Sequence, residues 1–157
     1  MLLALLFAAQ TPPATIVAAD GHWAALRRGA TCEAASLSLR GTAGQRPPAR
    51  ASLAFDAPGG VRRGQFAVRL NRPARDGASV LATIGKQPFL LVGRGEWAWS
   101  NGAAQDAAII AALRAGGWMS VQSRAANGGA IVDQYDLSGA PTAIDAAAAC
   151  AAGLAKR

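Results

Sequence analysis

The chain has 157 residues, of which 52% are hydrophobic and 16% are charged, and its formal net charge is +7. This length suits one domain with one hydrophobic core, and the composition excludes a disordered tail or a bundle of membrane helices. The positive charge comes mostly from arginines that are scattered through an alanine- and glycine-rich chain. We therefore expect a solvated basic surface and no nucleic acid partner.

The chain begins with an apolar run over residues 1–9 that leads into a short polar and proline-containing segment. Such a run is too short to span a bilayer and is typical of the hydrophobic part of a secretory signal. Small residues that suit cleavage are Ala8, Ala9 and Val17-Ala18-Ala19. We assign 1–19 to a signal peptide and short leader, and 20–157 to the mature domain. Because no basic residue precedes the run, two alternatives stay open: a start further upstream, or a buried strand or helix over 2–9.

Short alternating segments between turn residues predict that the body of the domain is mainly β. Residues 36–39 alternate polar and apolar side chains, as a half-buried strand does. Strands at this spacing favour an antiparallel sandwich or barrel over a fold of alternating strands and helices. The predicted strands are 23–28, 32–39, 51–55, 65–70, 79–84, 89–92, 96–99, 118–123 and 130–135.

Two segments carry helical signals instead. The first covers about 101–115, with Asn101 as its expected N-cap and Gly116-Gly117 as its stop. The second covers about 140–154 and starts near Pro141, a residue that suits a first helical turn. The apolar face of the first helix consists of Ile109, Ile110 and Leu113, and that of the second consists of Ala143, Ala147, Cys150 and Leu154.

The chain contains two cysteines, Cys32 and Cys150. In an oxidising compartment two thiols that meet are expected to pair. Cys150 falls on the inward stripe of the second helix, from which it can reach the segment that carries Cys32. We therefore predict a disulfide that joins the two ends of the domain. In a cytosolic protein the same residues would be two unrelated buried thiols, so the predicted pairing and the predicted export depend on each other.

The sequence shows no catalytic or metal-binding pattern. His22 is the only histidine, which excludes a zinc site with several histidines, and the carboxylates lack metal-ligand spacing. Asp106 and Asp145 are interpreted as residues of early helical turns. We predict no enzyme activity, no cofactor and no metal. The alternative is a cryptic periplasmic hydrolase in which His22 activates a nearby serine or carboxylate, and loss of a hydrolytic activity in His22→Ala would support it.

Trp97 and Trp99 lie two residues apart and therefore on one side of a predicted strand. Aromatic faces stack on sugars or bases, although such a pair more often belongs to a core or covers a sheet edge. The candidate ligand or partner surface consists of Trp97, Trp99, Arg62, Arg63, Arg69 and Arg72. The predicted core includes Trp23, Phe66, Trp118, Ile131 and Leu137.

The second half of the chain contains a series of short motifs. These are Phe89-Leu-Leu-Val-Gly, Trp97-Ala-Trp, Asp106-Ala-Ala-Ile-Ile-Ala-Ala-Leu-Arg-Ala-Gly-Gly, Met119-Ser-Val and Asp133-Gln-Tyr-Asp-Leu-Ser-Gly-Ala-Pro-Thr-Ala-Ile-Asp, followed by Cys150. Together they resemble the invasion-associated locus B family of exported bacterial proteins, and Gly21-His-Trp resembles its N-terminal part more loosely.

This resemblance implies a periplasmic or outer-membrane-associated β-sandwich with an immunoglobulin-like arrangement and no known catalytic residues. A role in host invasion does not transfer with a fold, and an envelope housekeeping role is equally consistent. The expected function is a non-enzymatic binding or interaction module. Its expected partner is an envelope protein or an anionic envelope polymer, and no transmembrane span is expected.

Overall fold

The structure is a computed structural model that describes residues 12–40 and 47–155. These residues form one ten-stranded antiparallel sheet and two helices, which confirms the mainly β fold. The elements are β1 (Thr15–Asp20), β2 (Trp23–Arg28), β3 (Thr31–Leu37), β4 (Arg50–Asp56), β5 (Arg63–Arg69), β6 (Val80–Ile84), β7 (Gln87–Arg94), β8 (Trp97–Trp99), α1 (Ala103–Ala115), β9 (Trp118–Arg124), β10 (Ala130–Asp136) and α2 (Ala140–Ala152). The apolar run 1–9 lies outside the described residues.

Every predicted strand and helix is present, and each end lies within two residues of its predicted position. Sequence reasoning missed β1, of which all but the last residue lies in the segment assigned to a leader. This strand is at the sheet edge and is exposed along most of its length, so it lacks the alternation that marks a half-buried strand. Cleavage after Ala19 would remove β1 from the sheet, whereas cleavage after Ala8 or Ala9 would leave it in place.

The strands follow the order β1-β2-β3-β4-β5-β8-β7-β6-β9-β10. Strand β7 joins the two halves of the sheet, because residues 87–91 pair with β6 and residues 92–94 pair with β8. Inward side chains from both halves and from both helices form one continuous core. Helix α1 packs mainly on β5, and α2 packs on β1 to β4. Both helices therefore lie against the inner face of the sheet.

Four of the five predicted core residues, Trp23, Phe66, Ile131 and Leu137, are buried, but Trp118 is 52% exposed. Along β9, Met119 and Val121 point into the core. Successive side chains of a strand point to opposite faces, so Trp118 points outward. The prediction for Trp118 was wrong for this reason.

The helix termini differ from the predictions in two respects. Gly102 is the N-cap of α1, and no side chain caps this helix. Asn101 instead donates its backbone N–H to the side-chain oxygen of Gln105, at 2.6 Å. Asp145 is not a first-turn residue of α2; it pairs with Arg114 and so links the two helices. Asp106 does lie in the first turn of α1, where it accepts the backbone N–H of Phe66 at 2.9 Å.

The predicted disulfide is confirmed. Cys32 of β3 and Cys150 of α2 are bonded, with 6.1 Å between their Cα atoms and a sequence separation of 118. Cys32 is fully buried, and Ala143 and Ala147 of the predicted stripe are buried beside it in the core. The bond therefore fastens the last helix to the sheet near the first strands.

A second contact joins the chain ends at the turn between β1 and β2. The backbone N–H of His22 donates to the carbonyl oxygen of Ser138 at 3.0 Å, and the Trp23 indole N–H donates to the carbonyl oxygen of Asp136 at 3.0 Å. The Gly21-His22-Trp23 segment thus packs directly on the turn between β10 and α2. In the described ranges, neither helix combines the length and apolar character that a bilayer span needs.

Candidate functional site

Two rows of side chains cross the outer face of the sheet, where β4, β5, β8 and β7 run side by side. Directly opposed residues of neighbouring strands point to the same face, so the pairing register defines each row. One row consists of Arg50, Arg69, Trp97 and Arg94, and the other consists of Ser52, Ala67, Trp99 and Val92. We call these eight residues the Trp–Arg face. It lies opposite the inner face on which both helices pack.

The two tryptophans of this face are stacked. Their ring centroids are 6.3 Å apart and their planes differ by 14°. Both side chains are partly exposed, and the neighbouring Val92 is 53% exposed. Trp97 and Trp99 thus share a face, as their spacing predicts, and they leave aromatic surface open to solvent.

The arginines of the Trp–Arg face differ in how many of their donors are used. Arg69 lies over Trp97, with Cζ 5.8 Å from the ring centroid, and donates to the Pro48 carbonyl oxygen at 3.0 Å. Its Nε atom is buried and has no hydrogen-bond partner among the described residues. Arg50 forms an ion pair with Glu33 at 2.5 Å. Arg94 is exposed and forms no ion pair or hydrogen bond within residues 12–40 and 47–155. Arg94 therefore keeps free donors at the surface, whereas the unpaired donor of Arg69 is buried.

The structure does not bring the other predicted arginines to this face. Arg63 begins β5 and Arg69 ends it, a separation of about 20 Å along an extended strand. Arg62 and Arg63 line a groove of about 390 Å³ beside the start of α1. Arg72 follows β5 and donates to the carbonyl oxygen of Ala130 at 2.6 Å.

Sequence reasoning missed Arg50 and Arg94. Arg94 could have been predicted from the sequence. Gly95 and Glu96 form a two-residue turn between β7 and β8, and a hairpin with such a turn places Arg94 opposite Trp97. For Arg50 the sequence carried no such signal, since its place in a row with the tryptophans depends on the pairing of β5 with β8, which are not consecutive in sequence.

Arg62 is held by Asp56 rather than left free for a ligand. The carboxylate of Asp56 accepts the backbone N–H of Arg62 at 2.9 Å, its Nη2 at 2.7 Å and the hydroxyl of Thr31 at 3.0 Å. Burial opposes ionisation of Asp56, but the hydrogen bonds from Arg62 and Thr31 outweigh it and lower the pKa from 3.8 to about 2. The ionised carboxylate therefore stabilises the connection between β4 and β5.

We expect Asp56→Asn to lower the free energy of unfolding by about 2 kcal/mol at pH 7, because the depressed pKa favours the folded state when Asp56 is ionised. This stabilisation is complete above the unfolded pKa of 3.8 and is lost as the pH falls towards about 2. Urea unfolding at pH 7 and at pH 2.5 measures the difference. The exposed carboxylate of Asp76 provides the control, since Asp76→Asn should change neither value. An Asp56→Asn loss that is equal at both pH values would contradict this assignment.

His22 lies near a carboxylate and a serine, the groups that a hydrolase would need. Its Nε2 atom is 3.7 Å from Oδ2 of Asp136, beyond hydrogen-bond distance, and both side chains are substantially exposed. Ser138 contributes backbone groups: its N–H donates to Asp136 Oδ1 at 2.8 Å and its carbonyl accepts from His22. In the described part of the chain, the Ser138 hydroxyl forms no hydrogen bond with the imidazole. These contacts stabilise the turn and do not assemble a nucleophile with its base.

Within the described ranges, no three side chains of histidine, cysteine, aspartate or glutamate are grouped so that they could hold a metal ion. We compared the chain with known proteins, and no family model, no curated protein and no solved structure matches the chain. The function is therefore inferred from the chain's own surface and from its motifs.

Proposed function

We propose that this chain is an exported, non-enzymatic envelope protein of the invasion-associated locus B type, and that it serves as a binding or interaction module in the periplasm or at the outer membrane. The disulfide supports this proposal, because structural disulfides persist in oxidising compartments. Two motif segments that carry the resemblance, 21–23 and 135–139, also contact each other through the His22–Ser138 hydrogen bond. An immunoglobulin-like arrangement of the strands belongs to the same proposal.

The single observation that carries the proposal is the Trp–Arg face. Partly exposed Trp97 and Trp99 lie beside exposed Val92 on a sheet surface that neither helix covers. Tryptophan and arginine are the residue types most enriched at sites that dominate binding energy. We therefore propose this face as the contact surface for an envelope protein or an anionic envelope polymer.

The test is recovery of a partner from envelope extract by chemical crosslinking to the tagged protein. We expect the Trp97→Ala/Trp99→Ala double variant to recover at least about tenfold less partner than the wild type, as loss of a buried aromatic contact costs more than about 1.4 kcal/mol. Trp118→Ala is the matched control, because it removes an exposed tryptophan from a distant strand. Equal recovery by the double variant and the wild type would contradict the proposed surface, and unfolding curves confirm that all variants fold.

A further inference from the structure

We infer that the Trp–Arg face binds an acidic glycan, an extended polysaccharide whose sugar rings carry carboxylate groups. This inference rests on the proposed function and names the ligand class of the same surface. Three features of the face lead to it: its charge, its aromatic rings and its open shape.

The charge of the face selects an anion. The row across β4, β5, β8 and β7 contains Arg50, Arg69 and Arg94, and within this row only Arg50 is neutralised, by Glu33. The nearby Glu96 lies in the turn after β7, outside the row. Arg94 is exposed and has no partner in the described ranges, whereas the unpaired Nε atom of Arg69 is buried, so Arg94 supplies the free guanidinium of the row. A guanidinium offers planar, paired donors that match the two oxygens of a carboxylate.

The aromatic rings select a sugar rather than a bare anion. Trp97 lies between Arg69 and Arg94 in one row, and Trp99 lies beside it in the next. An indole packs its ring against the apolar C–H face of a sugar while its neighbours bind the polar substituents. Arg69 packs over the Trp97 ring and Trp99 stacks on it, so the partly exposed surface of this pair lies beside the free guanidinium of Arg94. Apolar aromatic surface next to an arginine matches a sugar ring whose carboxylate projects from its edge.

The shape of the face selects a polymer rather than a small molecule. Small ligands bind in concave sites that enclose most of their surface, and a sheet face provides no such enclosure. Arg50 is already paired with Glu33, and from Arg69 to Arg94 the row crosses two strand spacings, about 10 Å. A ligand that contacts both Arg69 and Arg94 must be an extended chain of at least two sugar rings.

The experiment measures binding of the purified full chain to three polymers at physiological salt. Polygalacturonate supplies carboxylated sugar rings, its fully methyl-esterified form supplies the same rings without charge, and polyglutamate supplies carboxylates without sugar. We expect binding to polygalacturonate to be at least about tenfold tighter than to either of the others, because only it engages both the arginines and the rings. Equal affinity for polygalacturonate and polyglutamate would overturn the inference, since it would show attraction to charge alone.

Two pairs of variants localise the site. Arg94→Ala should weaken polygalacturonate binding about tenfold, the cost of a lost charged hydrogen bond. Arg63→Ala removes the same charge at the other end of β5 and should leave affinity unchanged within about twofold. Trp97→Ala should weaken binding and Trp118→Ala should not. Equal losses in the two arginine variants would overturn the inference.

The two experiments separate the ligand class from the proposed function. If polygalacturonate does not bind but envelope crosslinking still depends on Trp97 and Trp99, the inferred ligand class is wrong and the proposed function stands. If polygalacturonate does not bind and crosslinking does not depend on the two tryptophans, both are wrong.

Discussion

The Cys32→Ala/Cys150→Ala double variant is expected to unfold with about 4 kcal/mol less free energy than the oxidised wild type. The bond closes a loop with a sequence separation of 118, and the entropy that a crosslink removes from the unfolded chain grows with loop length. For a chain of this size, the melting temperature should fall by about 8–16 °C. Urea unfolding and calorimetry measure the two quantities.

Reduced wild-type protein is the matched control, because it lacks the bond but keeps both sulfur atoms. It should show most of the same loss, and the small remainder reports the packing of the buried Cys32 side chain. If the oxidised wild type, the reduced wild type and the double variant share one unfolding midpoint, the bond does not stabilise this fold.

Gly139→Ala is expected to be the most damaging single substitution, with a loss of about 3–5 kcal/mol. Gly139 caps α2 in the left-handed region, with φ +87°, and a Cβ atom there would lie 1.8 Å from the carbonyl oxygen of Asp20. That oxygen belongs to backbone that the His22–Ser138 hydrogen bond holds in place, so it cannot move away without cost. The substitution would separate the two ends of the chain, and unfolding curves would detect it.

Gly128→Ala separates the steric effect from the conformational one. Gly128 has a similar φ of +82°, but no atom lies within 4 Å of the position that its Cβ would take. It should therefore lose only about 1–2 kcal/mol, the cost of a left-handed alanine. Equal losses at the two glycines would show that the contact between Gly139 and Asp20 does not constrain the fold.

Much of the fold was predictable from local pattern. Alternating side chains and turn residues predicted nine of the ten strands, because those strands bury one face. Strand β1 was not predicted, because an exposed edge strand lacks this alternation. The error at Trp118 was avoidable. Met119 and Val121 alternate with Ser120 and Gln122, which already assigns Trp118 to the polar side of β9.

The candidate site was predictable only in part. The spacing of Trp97 and Trp99 placed them on one face, and the two-residue turn at Gly95 and Glu96 would have added Arg94. The place of Arg50 depends on strand order and register, which follow from packing of the whole chain. Arg62 appeared available in the sequence, but folding brings its guanidinium to Asp56.

The structure joins the two ends of the domain by the bond between Cys32 and Cys150, and we propose that the bond forms because the protein is exported. The most direct test of this proposal traps thiols in cells that express the full chain: free thiols are blocked at once, the cells are fractionated, and the remaining cysteines are labelled after reduction. We expect the protein in the periplasmic or outer-membrane fraction, with both cysteines labelled only after reduction. Protein in the cytosolic fraction with both thiols already blocked before reduction would contradict the proposal.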